Sequence, residues 1–264
     1  MDNSYGFAEL HEQLLIIMDD IDRVCRKHGI KYTLSDGTLL GAIRHKGFIP
    51  WDDDMDVRML RGEFEKFKEV YEKEKREDFI IGHPCNLVTY SVINPRYSIP
   101  NVSTPDGRTI NPWISIFPMD EAPANEKKAK MKATKMRILS GMIGLPPHYV
   151  LFSKKAKIMW RLTSAFGKIY GPKKAMEKYQ RLCIEYNGQD TGVLVSYATN
   201  SKDAYYIYPD YLFKTVSDIK FEDRVYMGID KYHEYLTIMY TNTYGYDYMI
   251  PVPPERRKAK HISS

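Results

Sequence analysis

Cysteine is scarce in this chain of 264 residues: there are three, Cys25, Cys85 and Cys183. They lie far apart and form no CxxC pair. That excludes a zinc ribbon and a disulfide scaffold and fits a reducing compartment. Long apolar runs are missing as well. The longest charge-free stretch, Ile138 to Ser153, is broken by Gly141, Gly144, Pro146 and Pro147 and is too short to span a bilayer. The opening residues lack the basic-then-apolar layout of a secretory leader, so a soluble, cytoplasmic protein is expected. Acidic residues are absent from Lys127 to Met176, where 13 Lys or Arg fall. With a net charge of +5 overall, the remainder of the chain carries −8. Such a block either attracts polyanions or is a solvated helix face. No nucleic-acid recognition motif accompanies it, so no nucleic acid is expected.

What is present reads as an α+β protein. Phe7, Leu10, Leu14, Ile17, Ile21 and Val24 recur at helical spacing, and Gly29 reads as the stop. Residues 30–35 alternate as a strand, Asp36-Gly37 reads as a turn, and Thr38 caps a short helix from Leu39 to Lys46. Asp54 to Leu60 alternates as a second strand, and Gly62 to Lys75 carries a helical stripe. Further strands are expected at 79–82, 87–93 and 113–119, then helices at 126–142, 153–170 and 173–187. The stretch 193–211 reads as irregular, 213–221 is ambiguous, 231–240 reads as a helix and the tail as a loop. The expected layout is an N-terminal helix packing on the core (1–29), a core built on a small mixed sheet (30–123), a mostly helical basic region (124–210) and a C-terminal region (211–264).

Chemistry concentrates between Ser35 and Val57. Four acids, Asp52, Asp53, Asp54 and Asp56, fall within five positions. On a strand, Asp52, Asp54 and Asp56 share one side and Asp53 takes the other. Two carboxylates on one edge, roughly 7 Å apart at their Cα atoms, converge on a hard divalent cation such as Mg²⁺ or Mn²⁺. Upstream, Gly37 and Thr38 stand where a strand gives way to a helix, a place suited to an anion. Arg44 adds a forked phosphate donor. A phosphate cradle, an arginine clamp and a metal-binding acidic strand are the parts that phosphoryl transfer needs.

The run GTLLGAIRHKGFIPWDDDMDV, starting at Gly37, resembles the signature of the LicD family, in the nucleotidyltransferase-fold group that includes the fukutin-like proteins. The resemblance continues through residues 113–120 and returns at Phe221-Glu222-Asp223, Tyr235-Leu236, Tyr244 to Met249, Pro253-Pro254, Arg256 and His261. It implies a nucleotidyltransferase-like fold and transfer of a phospho-alcohol, typically phosphocholine, from a CDP-linked donor to a sugar hydroxyl. The acceptor it implies is a cell-surface glycan or its lipid-linked precursor, of the teichoic acid, lipopolysaccharide or capsule type. In that pattern Gly37 and Thr38 occupy the phosphate turn, and Asp54 and Asp56 the metal-binding pair. The family usually has Asp where Ser115 stands. A serine cannot act as a base near neutral pH, so either Asp52 or Asp120 takes that role, or turnover is reduced.

Phosphocholine carries a quaternary ammonium, which proteins hold against aromatic faces. Trp51, Trp113, Tyr244, Tyr246 and Tyr248 are the candidates, and Arg256 is a candidate for donor phosphates. The segment Lys154 to Tyr170 mixes cations with Trp160, Phe166 and Tyr170. It reads either as an ordinary core-facing amphipathic helix or as one lying on anionic lipid at the inner face of the membrane, making the protein peripheral there. Two other readings of the chain stay open: a catalytically impaired protein that binds polyanionic glycan or membrane, and a transferase for another CDP-alcohol such as CDP-ribitol.

Overall fold

The computed structural model describes residues 6–82, 89–100, 109–144, 154–197, 207–241 and 247–251. In chain order the elements are α1 (Ala8–His28), β1 (Thr33–Leu34), α2 (Asp36–Arg44), β2 (Met55–Leu60), α3 (Arg61–Glu74), β3 (Ile80–Gly82), β4 (Tyr90–Ile93), β5 (Ile99–Pro100), β6 (Thr109–Ile110) and β7 (Trp113–Glu121). They continue with α4 (Glu126–Ile143), α5 (Lys154–Tyr170), α6 (Pro172–Cys183), β8 (Val193–Val195), β9 (Tyr208–Pro209), β10 (Val216–Phe221), β11 (Arg224–Ile229) and α7 (Tyr232–Leu236), which ends in a π-helical turn at Thr237–Thr241. The fold is α+β. The chain divides into two units, one from Met1–Gly82, Tyr90–Ile116 and Leu212–Ser264, the other from His83–Thr89 and Phe117–Tyr211.

In the first unit the sheet runs β1-β2-β7-β4-β3. β1 pairs antiparallel with β2, setting Thr33 opposite Arg58 and Leu34 opposite Val57. Met55, Val57 and Met59 of β2 are buried, as are Leu10, Leu14, Ile17, Ile21 and Val24 of α1 and Phe64, Phe67 and Tyr71 of α3. Those helices form because their apolar residues repeat on one face that the sheet can bury. Gly29 ends α1 in the left-handed region, with its N–H bonded back to Arg26 and Cys25. Asp20 is buried at the α1–α3 contact, where it accepts from the Tyr71 hydroxyl at 2.9 Å and from Arg23.

The ambiguous stretch before Phe221 is a strand. β10 and β11 form a hairpin, register Val216↔Ile229 to Phe221↔Arg224, closed by Glu222 and Asp223. Side chains tie it to β1: the Ile229 N–H donates to Thr33 Oγ1 at 2.9 Å and the Met227 N–H to the Tyr32 hydroxyl at 3.2 Å.

In the second unit β8 pairs with the end of β7, setting Asp120 opposite Val195, and β9 pairs with β8. Residues 193–195 and 208–209 are therefore strand rather than irregular. Met136, Leu139 and Met142 of α4 pack with Ala175, Tyr179 and Cys183 of α6 and with Val195. Asn125 caps α4 by accepting from the Lys128 N–H at 3.0 Å, and Pro172 opens α6 at its first position. Among the described residues no helix is long and apolar enough to cross a membrane.

Candidate active site

The site is assembled where β1 hands over to α2 beside the start of β2. The expected turn at Asp36-Gly37 is instead the first turn of α2, with Ser35 at the N-cap position. The physical reason is the pairing of β1 with β2. The Ser35 N–H donates to the Asp56 carbonyl at 3.0 Å, and the Asp56 N–H donates to Thr38 Oγ1 at 2.9 Å. Thr38 is thus inside the helix, where its buried hydroxyl fixes the first residues of β2.

β2 begins at Met55, so strand alternation governs Met55 to Leu60 and not the acids before them. The Asp52 N–H closes a turn on the Ile49 carbonyl at 2.9 Å, which keeps the preceding acids off the sheet. This corrects the expectation that Asp53 faces away. Carboxylate oxygens of Asp52, Asp53 and Asp54 all lie within 4.8 Å of one another. Asp56 comes next, on β2, and its carboxyl feels Asp54, Asp36 and Asp52. Burial, then Asp53 and Asp36, push the Asp54 pKa up to about 7. Burial and the neighbouring acids push Asp56 well above the usual carboxylate range, against a smaller opposing pull from Arg58. Converging carboxylates held above their ordinary pKa form a donor set that fits a hard divalent cation, because oxygen ligands and a double positive charge relieve the repulsion.

Gly37 is required here by close approach. A Cβ on it would come within 2.5 Å of Asp52 Oδ2. A carboxylate therefore already rests against the N-terminal turn of α2, as expected of an anion at that end of a helix.

Four residues of the site escaped the sequence reading. Asp36, at φ 50, accepts two bonds from Arg58, at 3.2 and 3.1 Å. Arg58 is buried on the same face of β2 as Asp56, so the alternation of Asp56 and Arg58 was a usable signal. His11 on α1 reaches the Asp52 carbonyl at 2.8 Å. A carbonyl only accepts, so Nε2 carries the proton. The ring stacks on Phe48 at 3.9 Å, and burial lowers its pKa, which keeps it neutral. Glu222, at φ 54, accepts from the Phe48 N–H at 3.1 Å, while its own N–H donates to the Lys46 carbonyl at 2.7 Å. The loop carrying the acids is therefore clamped from α1 and from the β10–β11 turn.

The family described as LicD/FKTN/FKRP, nucleotidyltransferase domain, matches residues 29–141. The lipopolysaccharide cholinephosphotransferase LicD of Haemophilus influenzae is 29% identical over 286 residues, covering 96% of this chain and 96% of that protein. An uncharacterized protein of Rickettsia typhi is 37% identical over 67 residues, 25% of this chain and 22% of its own length. The domain at residues 29–141 is thus of the LicD family, and likeness to a LicD protein extends along nearly the whole chain.

The other expected site residues are more scattered. Arg44 donates from Nη1 to the Tyr248 carbonyl at 2.8 Å and to that of Ile250 at 3.4 Å, so it fastens the C-terminal segment to α2. Tyr248 is buried, and its hydroxyl meets His233 Nδ1 at 2.6 Å. Trp51 is half-buried, with its ring edge-on to His45 at 6.1 Å. Ser115 is buried on β7 opposite Ser91 of β4. Asp120 lies in the second unit, buried at the end of β7, and accepts from the Asn187 side-chain amide at 2.7 Å. Tyr244, Tyr246, Arg256 and His261 lie outside the described residues.

Proposed function

We propose that the protein is a metal-dependent transferase that moves phosphocholine from CDP-choline to a sugar hydroxyl of a cell-surface glycan or its lipid-linked precursor. The observation that carries this reading is the acid cluster of Asp52, Asp53 and Asp54 beside Asp56, built on the N-terminal turn of α2. Likeness along nearly the whole chain to a lipopolysaccharide cholinephosphotransferase supports the choice of transferred group.

Asp54 and Asp56, with Asp52 beside them, would hold a magnesium or manganese ion, which when bound supplies positive charge for the donor diphosphate and the departing CMP. The N-terminal turn of α2 at Gly37 and Thr38 offers backbone N–H groups to phosphate oxygens. The acceptor oxygen forms a bond to the choline-bearing phosphorus, and the bond from that phosphorus to the bridging oxygen of CMP breaks. The hydroxyl proton passes to a carboxylate, for which Asp52, beside the metal-binding pair, is the candidate. A lipid-linked acceptor makes the protein peripheral at the inner face of the membrane.

The test is CMP release from CDP-choline with Mg²⁺ and a glycan acceptor. Asp54→Asn and Asp56→Asn are each expected to lose about a hundredfold or more in kcat with an unchanged circular dichroism spectrum. Turnover at the wild-type rate in either variant overturns the assignment. Faster release from CDP-ribitol, CDP-glycerol or CDP-ethanolamine keeps the chemistry and changes the alcohol.

A further inference from the structure

α5 is packed the opposite way round from what its apolar stripe suggests. The side it turns to α4 is small. Gly167 is buried, and a Cβ on it would come within 2.0 Å of the Met142 carbonyl oxygen. Thr163 sits against Gly141, where a Cβ would meet its Oγ1 at 2.1 Å. The large residues face out: Ile158 is 60% exposed, Met159 61%, Leu162 63%, Phe166 56% and Ile169 85%. At the helical rotation per residue these five fall within an arc of about 100°. Lys157, Arg161 and Lys168, all exposed, lie along one flank of that arc.

We infer that this outward face of α5 is a docking surface for an anionic lipid bilayer. Charge selects the occupant. The segment Lys127 to Met176 holds 13 Lys or Arg and no Asp or Glu. A second copy seated symmetrically on the same face would bring two such segments together, which repulsion opposes. An anionic headgroup layer over an acyl boundary matches both the cations and the apolar arc. No described helix is long and apolar enough to span, so the contact is peripheral. The inference deepens the proposed function, because a lipid-linked acceptor is presented at such a surface, but its evidence is independent of the acid cluster.

Co-sedimentation with vesicles of phosphatidylcholine and phosphatidylglycerol, against vesicles of phosphatidylcholine alone, tests it. The wild-type protein is expected to pellet with the anionic vesicles and to be released as salt rises from about 0.1 M to about 0.5 M. The double variant Leu162→Glu, Phe166→Glu is expected to bind at least tenfold more weakly, with unchanged melting and unchanged CMP release to a water-soluble acceptor. Asp54→Asn is expected to pellet like wild type, which separates failure of the surface from failure of the catalytic reading. Three results overturn the inference: no preference for anionic vesicles, undiminished binding by the double variant, or a dimer in light scattering that the double variant converts to monomer.

Discussion

Asp54 shares its loop with Asp52 and Asp53, and burial, then Asp53 and Asp36, push its pKa up to about 7. The folded, metal-free protein therefore binds this proton more tightly than the unfolded chain, where the carboxyl titrates near 3.8. That contribution to stability is whole below about pH 4 and is lost as pH rises through about 7. Asp54→Asn removes the charge, so in EDTA at pH 8 it is expected to melt higher than wild type, by about 1–2 kcal/mol at a half-buried group. The gain should shrink towards pH 5, and Mg²⁺, expected to raise the melting temperature of the wild type, should leave that of the variant unchanged. Melting curves at both pH values, with and without Mg²⁺, check this; a variant less stable than wild type at pH 8 counts against the strained cluster. Glu222 gives a second test. Its carboxylate accepts from the Phe48 N–H, so Glu222→Ala orphans that buried donor at a cost of about 1–3 kcal/mol, while Glu222→Gln, which keeps an acceptor, is expected to melt near wild type. The clustering of Asp52, Asp53, Asp54 and Asp56 was legible because four acids fall within five positions of the sequence. Asp36 was hidden because Asp-Gly reads as a turn. His11 was hidden because its partner lies 41 residues away, and no local period reports such a contact.

At the scale of elements, α1, α3, α4 and β7 stood out because each carries the period of its own geometry over many residues. The β10–β11 hairpin did not. Its turn is Glu222-Asp223 rather than Asn-Gly, and Ser217 and Asp218 interrupt the apolar alternation of β10. β8 and β9 are three and two residues long, too short for any period to register. The stripe on α5 was legible, but its direction was not. Periodicity finds an apolar face without saying whether protein, lipid or water covers it. What sets the direction is the close approach of α4 and α5 at Gly141 and Gly167, since small residues let helix backbones meet. Gly167→Ala would place its Cβ against the Met142 carbonyl, backbone that cannot yield easily, and is expected to cost about 1–3 kcal/mol. Leu162→Ala, on the outward face, is expected to change stability by less than about 0.5 kcal/mol. Equal losses from both in denaturant titrations would mean that α5 packs with its apolar face inward after all.

Charge is partitioned along the whole molecule: +13 between Lys127 and Met176, and −8 across everything else. The acid cluster belongs to the negative part, so under the proposed function a donor diphosphate would meet an acidic site that a cation must neutralise. Donor binding and metal binding should therefore be strongly coupled, each raising the affinity of the other by the same factor. With CDP-choline and Mg²⁺ together, at about a hundred times the dissociation constant, the protein should gain about 2.7 kcal/mol, a rise in melting temperature of roughly 5–10 °C for a chain of this size. CDP-choline in EDTA should give little or none of that rise. Calorimetry distinguishes the readings further. Metal-dependent donor binding followed by CMP release is the behaviour of the transferase. Donor binding of equal strength in EDTA, without CMP release, is that of a protein that keeps the LicD fold and binds without catalysing. Ser115 bears on the choice, because the resemblance read from the sequence implies a carboxylate at its position. Ser115→Asp should then tighten Mg²⁺ if that position faces the ion, and should only destabilise the protein if it does not, since an unpaired buried carboxylate would be added to β7.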